Sequence, residues 1–525
     1  MTDSKFRRLP VGIQSFKVIR EENYLYVDKS DIVWNMVNLG DKYNYLSRPR
    51  RFGKSVLVDT LESYLEGRKD LFEGLKIMQL EKDWKQYPVI RLDMSRGGAN
   101  EDTLRSYLNL RFKDYEEKYN ITPDPTAMLA DRFHAIIATA YKQTGLRVAV
   151  LIDEYDSPLQ HSWRTPEHEK CTGVYREVFA ILKADDEYEH FIFITGITKF
   201  TQISLFSVLN NLSNISFMPE YATICGITEE EIKENFMPEI KQMSEANNWS
   251  VQETHDRLKA YYDGYHFSRR NMVDVYNPYS LVNALKSKEI INFWASSGAT
   301  SLLPKFVDNA ELRLSKFENC SVMRNTLELS DVSGGGAELF LYQSGYLTIK
   351  DSDEFGYILG FPNEEVKQAL YETVLPALAM RSESEILSLQ ACLYRYLGTG
   401  QIDEAMKSLK ALIADVPYSN KKLASMDMEE RYRLIISTIL NAIGLNVEVE
   451  KMISTGRIDM TVKTSRYIYV IELKLRNNGG KDAATEQILN RQYMEPFKAD
   501  KRKVIGLGIE LDEDGKGLLD WKRTE

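Results

Sequence analysis

The chain has 525 residues, more than one hydrophobic core usually organises, so two to four domains are expected. Its apolar share of 43% is enough for packed cores, and no apolar run approaches the ~20 residues that cross a bilayer, which argues against a membrane protein. The formal net charge of −10 argues against a uniformly basic nucleic-acid coat, but it averages over domains.

Cys171, Cys225, Cys320 and Cys392 are widely spaced, with no CxxC pair and no His cluster, so no zinc site is expected. Scattered thiols fit a reducing compartment. The first residues, MTDSKFRRLP, lack the apolar stretch of a secretion signal, and the expected location is the cytoplasm.

In chain order, the first informative stretch is Tyr43 to Leu46, an apolar strand, followed by Ser47-Arg48-Pro49-Arg50-Arg51-Phe52-Gly53-Lys54-Ser55 and a helical pattern from Val56 to Leu65. Strand, loop ending in Gly-Lys-Ser, then helix is the context of a phosphate-binding loop. Backbone N–H groups and the positive helix end cradle phosphates there. Lys54 is placed to reach the β- and γ-phosphates, and Ser55 to ligate Mg2+. Arg48 stands where the general loop has its first Gly, a residue that tolerates geometry others resist. Arg48, Arg50 and Arg51 are read as added charge near phosphate. Taken alone, the motif is also compatible with a basic surface turn.

Tyr87 to Ser95 reads as a second strand, with Asp93 near its end. Val148 to Ile152 is an unbroken apolar run ending in Asp153-Glu154, the pattern of a central parallel strand. Acids at the carboxyl end of such a strand lie where α/β sheets bind ligands. Asp153 fits the Mg2+-holding acid and Glu154 the base that activates water; a helix-capping cluster is the alternative. Glu189 to Ile197 supplies another strand. Thr195 and Lys199 near its end are candidates for the γ-phosphate, or else a helix cap and a surface Lys.

The middle is mostly helical in pattern. Thr228 and Glu231 form a capping sequence, Asp263-Gly264-Tyr265 marks a turn, and Asn277-Pro278 opens a further helix. Gly334-Gly335-Gly336 is a joint. Beyond it, Phe340 to Leu347 and Tyr357 to Pro362 read as a helix end and a hairpin, a winged-helix-like unit. Glu365 to about Ala414 is a helical connector.

From Lys421 to the end, 19 Lys+Arg stand against 17 Asp+Glu, so this region is relatively basic. The pattern is helix (Glu429 to Ala442), three strands (Leu445 to Ile453, Arg457 to Lys463, Tyr467 to Leu475), helix (Lys481 to Phe497) and strand (Lys503 to Leu511). Period two puts Glu472 and Lys474 on one face of the third strand with Ile468 and Val470; the other face is wholly apolar. The strand is therefore expected to be central, and two charges there are expensive unless compensated. Asp459 and Glu472 are candidates to bind Mg2+ together with the Leu473 carbonyl, with Lys474 holding the attacking water. A buried Glu–Lys pair in an inactive fold is the alternative.

SRPRRFGKS, VLIDEYDSPL, TGITKF, YYDGYHF and YNPYSL together resemble a predicted AAA-ATPase-like family of bacteria, from about Leu9 almost to the end of the chain. The resemblance gives Lys54, Ser55, Asp153 and Glu154 the nucleotide roles argued above, and treats an Arg in place of the first loop Gly as a family trait. The order αβββαβ with Asp459 and Glu472-Leu473-Lys474 resembles the PD-(D/E)XK nuclease superfamily. Gln487 and Tyr493 resemble its accessory helix motif, with Arg491 in place of Lys. An acid on the leading helix often completes such sites; Glu430 is chosen, Glu429 being the rival.

The expectation is a multidomain α/β protein: a P-loop ATPase domain with a parallel sheet (1–225), a helical lid (226–333), a connector (334–420) and a restriction-endonuclease-like domain (421–525). Arg51, Phe52, Gly53, Lys54, Ser55, Asp153, Thr195 and Lys199 are its nucleotide residues, and Glu154, Asp459, Glu472 and Lys474 its catalytic ones. ATP and Mg2+ are the expected cofactors and DNA or RNA the expected partner. The rival expectation is a nucleotide-dependent switch whose nuclease-like domain binds without cutting. No arginine finger is identified, which leaves a neighbouring copy of the chain as its source.

Overall fold

The computed structural model describes residues 8–122, 124, 126–199, 212–295, 317–328, 336–379, 383–414 and 427–525. The chain separates into two compact units, Met1–Phe293 with Asn319–Asn363, and Trp294–Glu318 with Glu364–Glu525. These are coarser than the four regions expected from the sequence.

In the first unit, strand β1 (Tyr43–Ser47) leads into helix α1 (Lys54–Leu65). Then come β2 (Val89–Asp93), α2 (Glu101–Lys118), α3 (Leu129–Thr144), β3 (Val148–Asp153), α4 (Ser157–Ser162), α5 (Glu167–Phe179), β4 (Glu189–Gly196) and the short β5 (Ser213–Asn214). The order is β2-β3-β4-β1-β5, and every pairing is parallel. All six residues of β3 are buried, as an apolar run covered on both faces requires. Because β1 sits beside β4 and not beside β2, the strand order reverses next to the Gly-Lys-Ser loop. That reversal opens the crevice where such sheets take ligands. β2 ends earlier than the expected Ser95, because the Asp93 carboxylate accepts from the Ser95 N–H and turns the chain into a 3-10 segment.

The middle of this unit is helical, as expected. A two-residue ladder joins β6 (Ile227–Thr228) to β7 (Val275–Tyr276). The helices are α6 (Glu229–Asn235), α7 (Met237–Asn247), α8 (Val251–Tyr262) and α9 (Pro278–Ser287). α6 opens with the Thr228–Glu231 capping box, and the Asn277 side chain caps α9 just before its Pro. Phe236, Ile240, Leu258, Tyr262 and Leu281 form the core here, with Leu9, Leu25 and Val27 from the chain start packed into it. Gly334 and Gly335 lie outside the described residues. β8 (Cys320–Met323), α10 (Gly336–Ser344), β9 (Thr348–Ser352) and β10 (Gly356–Gly360) follow, the strands forming an antiparallel sheet β8-β10-β9.

In the second unit the expected connector is three separate helices, α11 (Glu364–Ala379), α12 (Glu383–Thr399) and α13 (Ile402–Ala414). Then come α14 (Met428–Ala442), β11 (Asn446–Ile453), β12 (Gly456–Lys463), β13 (Tyr467–Leu475), α15 (Gly480–Asn490), β14 (Lys503–Leu511) and β15 (Leu518–Thr524). The sheet runs β11-β12-β13-β14-β15, with β13 and β14 parallel and the other pairs antiparallel. β13 is central, as its two-faced pattern required. Ile468 and Val470 pack with Ile488 of α15, and on the other face the Tyr469 hydroxyl donates to the Leu397 carbonyl of α12 at 2.7 Å. Two expectations are corrected. α15 stops at Asn490, well short of Phe497, because Gln492 adopts φ 52 and breaks the helix. And β15, an edge strand antiparallel to β14, was not expected at all.

Candidate functional site

The loop after β1 closes around the ammonium of Lys54, which is buried and donates to the carbonyls of Arg48 at 3.0 Å and Pro49 at 2.9 Å. Burial pushes this amine below its ordinary pKa, while Glu154, Asp153 and Asp156 oppose the shift. The left-handed residues of the loop are Arg51 (φ 68) and Gly53 (φ 85); Arg48 is not among them. No special backbone freedom is therefore needed where the general motif has its first Gly.

Arg48 corrects a sequence expectation. It is 2% exposed, and its guanidinium donates to the carbonyls of Ser47 (2.8 Å), Ser216 (2.9 Å) and Tyr221 (2.8 Å), with the Phe267 ring 4.1 Å away. It ties the strand end to the segment after β5 and is spent as a clamp. Arg51 is exposed, with its guanidinium 4.8 Å over the Tyr279 ring. Phe52 is buried between Tyr265 (4.7 Å) and Phe267 (5.4 Å). The loop is thus gripped by the DGYHF and NPY segments of the helical region.

Asp153 ends β3 beside this loop, and Asp93 ends β2 directly opposite it in the parallel register. Burial raises the Asp153 carboxyl, and the Ser55 hydroxyl, Lys54 and Arg91 pull it down, the Ser55 contact being a hydrogen bond. Glu154 follows at φ 47, a left-handed conformation that a side-chain-bearing residue adopts only when its surroundings hold it there. Burial raises its carboxyl against the pull of Lys54. Asp153, Glu154 and Asp156 are all felt by one buried ammonium, an excess of negative charge that suits a cation. A carboxylate hydrogen-bonded to a hydroxyl is also the oxygen pair that a hydrated Mg2+ accepts.

Asp156, which sequence reasoning did not single out, is 2% exposed and is the latch between β3 and β4. Its Oδ2 accepts from Gln160 Nε2 (2.6 Å), Ile197 N (3.0 Å), Thr198 N (2.6 Å) and Thr198 Oγ1 (2.6 Å). A Cβ on Gly196 would meet Asp156 Oδ1 at 2.3 Å, so only glycine fits there. The signal was present: a third acid three residues after Asp153, at the N-cap of the helix that follows the strand. Thr195 and Lys199 both have protein partners in this structure. The Thr195 hydroxyl is fully buried and donates to the Leu46 carbonyl at 2.8 Å, stitching β4 to β1. Lys199 donates from Nζ to the Glu328 carbonyl at 2.9 Å and from its backbone to Gln343 Oε1 at 3.0 Å. Phe200, which closes the TGITKF motif, lies outside the described residues.

In the second unit, pairing of β12 with β13 runs from Lys463–Ile468 to Met460–Ile471 and stops; Asp459 and Glu472 are the next residue on each strand. Asp459 Oδ2 accepts from the Leu473 N–H at 2.9 Å, and the Asp459 N–H donates to the Glu472 carboxylate. Glu472 is 2% exposed, and its carboxyl is pushed up to about 8, first by burial and then by Asp459, with Lys474 opposing. Its Oε1 accepts from Gln487 Nε2, which also donates to the Tyr493 hydroxyl at 3.3 Å, and Lys474 Nζ stands 3.8 Å away. Its Oε2 is buried without a hydrogen-bond partner among the described residues. A buried bare carboxylate oxygen beside a second carboxylate and the free end of a ladder fits a divalent cation. Among the described residues no three His, Cys, Asp or Glu side chains converge on one point, so any cation here needs backbone oxygen, water or phosphate as well.

Glu429, the rival, reaches the strand that carries this site: its Oε1 accepts from the Leu475 N–H and Asn478 Nδ2, both at 3.2 Å, and it raises the Glu472 carboxyl. α14 puts Glu429 and Arg433, one turn apart, on the face turned to β13. Arg491 lies just past the end of α15, where its guanidinium donates to the Thr455 carbonyl at 3.4 Å. Arg433, also missed by sequence reasoning, donates to Asp459 Oδ1 at 2.9 Å. Its signal was its position four residues after Glu429.

A parallel sheet with a Gly-Lys-Ser loop at its switch point, followed by a mixed sheet carrying Asp and Glu-x-Lys, defines an ATPase-like domain joined to a nuclease-superfamily domain. Residues 10–206 match a family model described as predicted AAA-ATPase, and residues 427–521 match one described as PD-(D/E)XK nuclease superfamily. An "Uncharacterized protein in vnfD 5'region" of Azotobacter chroococcum mcd 1 is 31% identical over 532 residues, covering 98% of both chains. The chain belongs to this family of predicted AAA-ATPases with a PD-(D/E)XK region. The solved structure of the Aeropyrum pernix ORC2 protein in ADPNP-ADP complexes is similar over 71% of this chain and 97% of that one, at 13% identity and a TM-score of 0.27, too loose a likeness to bear on function. No described helix is long and apolar enough to cross a membrane.

Proposed function

We propose that the chain binds and hydrolyses ATP with Mg2+ and uses this to control Mg2+-dependent cleavage of DNA or RNA by its C-terminal domain. The observation that carries the nucleotide reading is the buried Lys54 ammonium enclosed by its own loop and faced by Asp153 and Glu154. On this reading Lys54 exchanges the Arg48 and Pro49 carbonyls for β- and γ-phosphate oxygens. Loop N–H groups and the α1 N-terminus hold the remaining phosphate charge. Glu154 orients the attacking water and takes its proton, a task suited to a carboxyl that burial raises above its ordinary value. Ser55 and Asp153 would hold the Mg2+, which neutralises phosphate charge when bound.

In the C-terminal domain Asp459 and Glu472 would hold the cation, which lowers the pKa of a bound water and offsets phosphate charge. Lys474 holds the attacking water, and Gln487, backed by Tyr493, fixes the Glu472 rotamer. We assign the protein to the cytoplasm, place its domain boundaries near residues 225, 333 and 420, and take a second copy as the source of any arginine finger.

Steady-state ATP turnover of the wild type against Lys54→Ala and Glu154→Gln tests the first half; each variant is expected to lose about 10²-fold or more. Equal turnover in all three removes hydrolysis. Incubating plasmid, linear and single-stranded DNA and RNA with Mg2+ or Mn2+ tests the second. Cutting that survives both Asp459→Ala and Lys474→Ala places the nuclease chemistry elsewhere.

A further inference from the structure

Asp459 is not a free cation ligand. One oxygen is taken by the Leu473 N–H and the other by the Arg433 guanidinium, each at 2.9 Å. The Arg433 side chain is 14% exposed, and its second nitrogen, Nη2, lies 3.3 Å from Glu450 Oε1. Glu450 is held there by an irregularity. The β11–β12 ladder pairs Val449 with Met460 and Lys451 with Ile458 but passes over the opposed residues Glu450 and Asp459, and Glu450 has φ 53. Left-handed backbone at this residue turns its side chain out of the ladder, and its carboxylate meets the arginine beside the site. Arg457 Nη1 shares the same Glu450 oxygen at 3.1 Å, from a side chain that is 53% exposed.

The acid pair is therefore served unequally. Asp459 is neutralised by a guanidinium, whereas Glu472 keeps one bare buried oxygen. We propose that Arg433 is the resident counter-ion of this site: it occupies the cation's electrostatic place on Asp459, and an arriving divalent cation displaces it onto Glu450. The inference rests on the reading of Asp459 and Glu472 as cation ligands. A guanidinium at contact distance from a divalent cation is repelled strongly in a half-buried setting. Leaving it buried without an acceptor would be costlier still, and Glu450 removes that cost. Arg457 gives way to solvent, since an exposed pair is worth little. The device makes cation loading weaker than the bare acids would give, and so dependent on a further partner such as a substrate phosphate.

Mn2+ titration calorimetry on the full-length chain tests this, in an Asp153→Asn background that removes the nucleotide site's own ligand. Arg433→Gln is expected to tighten Mn2+ binding about tenfold, the order expected when one adjacent like charge is removed. It is also expected to lower the cation-free melting temperature, because the half-buried Asp459 then loses its charged partner. Glu450→Gln is expected to weaken Mn2+ binding about fivefold, because the displaced guanidinium has nowhere to go. Opposite signs in the two variants separate a counter-ion from a general structural role, which would weaken binding in both. Unchanged or weaker binding in Arg433→Gln overturns the counter-ion while leaving the acid pair standing. No Mn2+ uptake in the parent or in Arg433→Gln sinks the cation reading and the inference together. Uptake in Arg433→Gln alone shows the counter-ion holding the site shut.

Discussion

Arg48 occupies the place of a glycine and does a clamp's work. Three carbonyls from two chain segments converge on its guanidinium, and the loop's left-handed turns fall at Arg51 and Gly53 instead. Restoring the general motif with Arg48→Gly is therefore expected to destabilise the protein by on the order of 3 kcal/mol, since buried carbonyls lose charged donors. Urea unfolding checks the loss, and a nucleotide-binding assay on the same variant is expected to show no gain. Asp263 supplies a second residue-scale test. It is 2% exposed, and its carboxyl is pushed up to about 7, by burial first and by Asp274 and Glu229, against the Gly264 N–H and Lys259. A raised carboxyl is stable in its protonated form. Its contribution is complete below the ordinary value of 3.8 and is lost as pH rises through about 7. The wild type is expected to lose up to about 4 kcal/mol across that window from this one group, and Asp263→Asn to flatten that part of the profile. Melting temperature against pH for both proteins is the measurement; parallel curves would refute it.

At the scale of elements, the candidate nucleotide crevice exists because β4 lies between β1 and β3. The latch that holds this arrangement at its carboxyl end is Asp156, gathering donors from α4 and from the residues after β4. The phosphate loop in turn rests on the helical region through Phe52 against Tyr265 and Phe267 and Arg51 against Tyr279. Ordering of the loop by nucleotide is expected to reach that region. Amide exchange across Tyr262–Tyr279 should slow with a non-hydrolysable ATP analogue in the wild type and change less in Phe52→Ala. That variant should itself cost about 3 kcal/mol, the usual order for emptying a buried aromatic site. Exchange that slows in the loop alone would show that these contacts transmit nothing. In the C-terminal sheet the analogous device is the point where β12 and β13 stop pairing, which frees Asp459 and Glu472 from the ladder.

At the scale of the whole molecule, the chain combines two α/β units whose candidate sites lie at a sheet end and a ladder end. Much of this was legible in the sequence. Apolar runs such as Val148–Ile152 admit few other folds once a Gly-Lys-Ser loop precedes them, and period two along β13 declared a central strand carrying two charges. Those signals are local: each depends on neighbours within about ten residues, where backbone geometry is the same in any fold. What only the tertiary structure decided was the direction of the charged side chains. Arg48 turned to carbonyls, Lys199 to Glu328, Glu429 to the Leu475 N–H beside the nuclease-type site, and Arg433 onto Asp459. A long cation or acid reaches whichever partner the packing brings within a few ångströms, and that partner here lies tens to more than a hundred residues away along the chain.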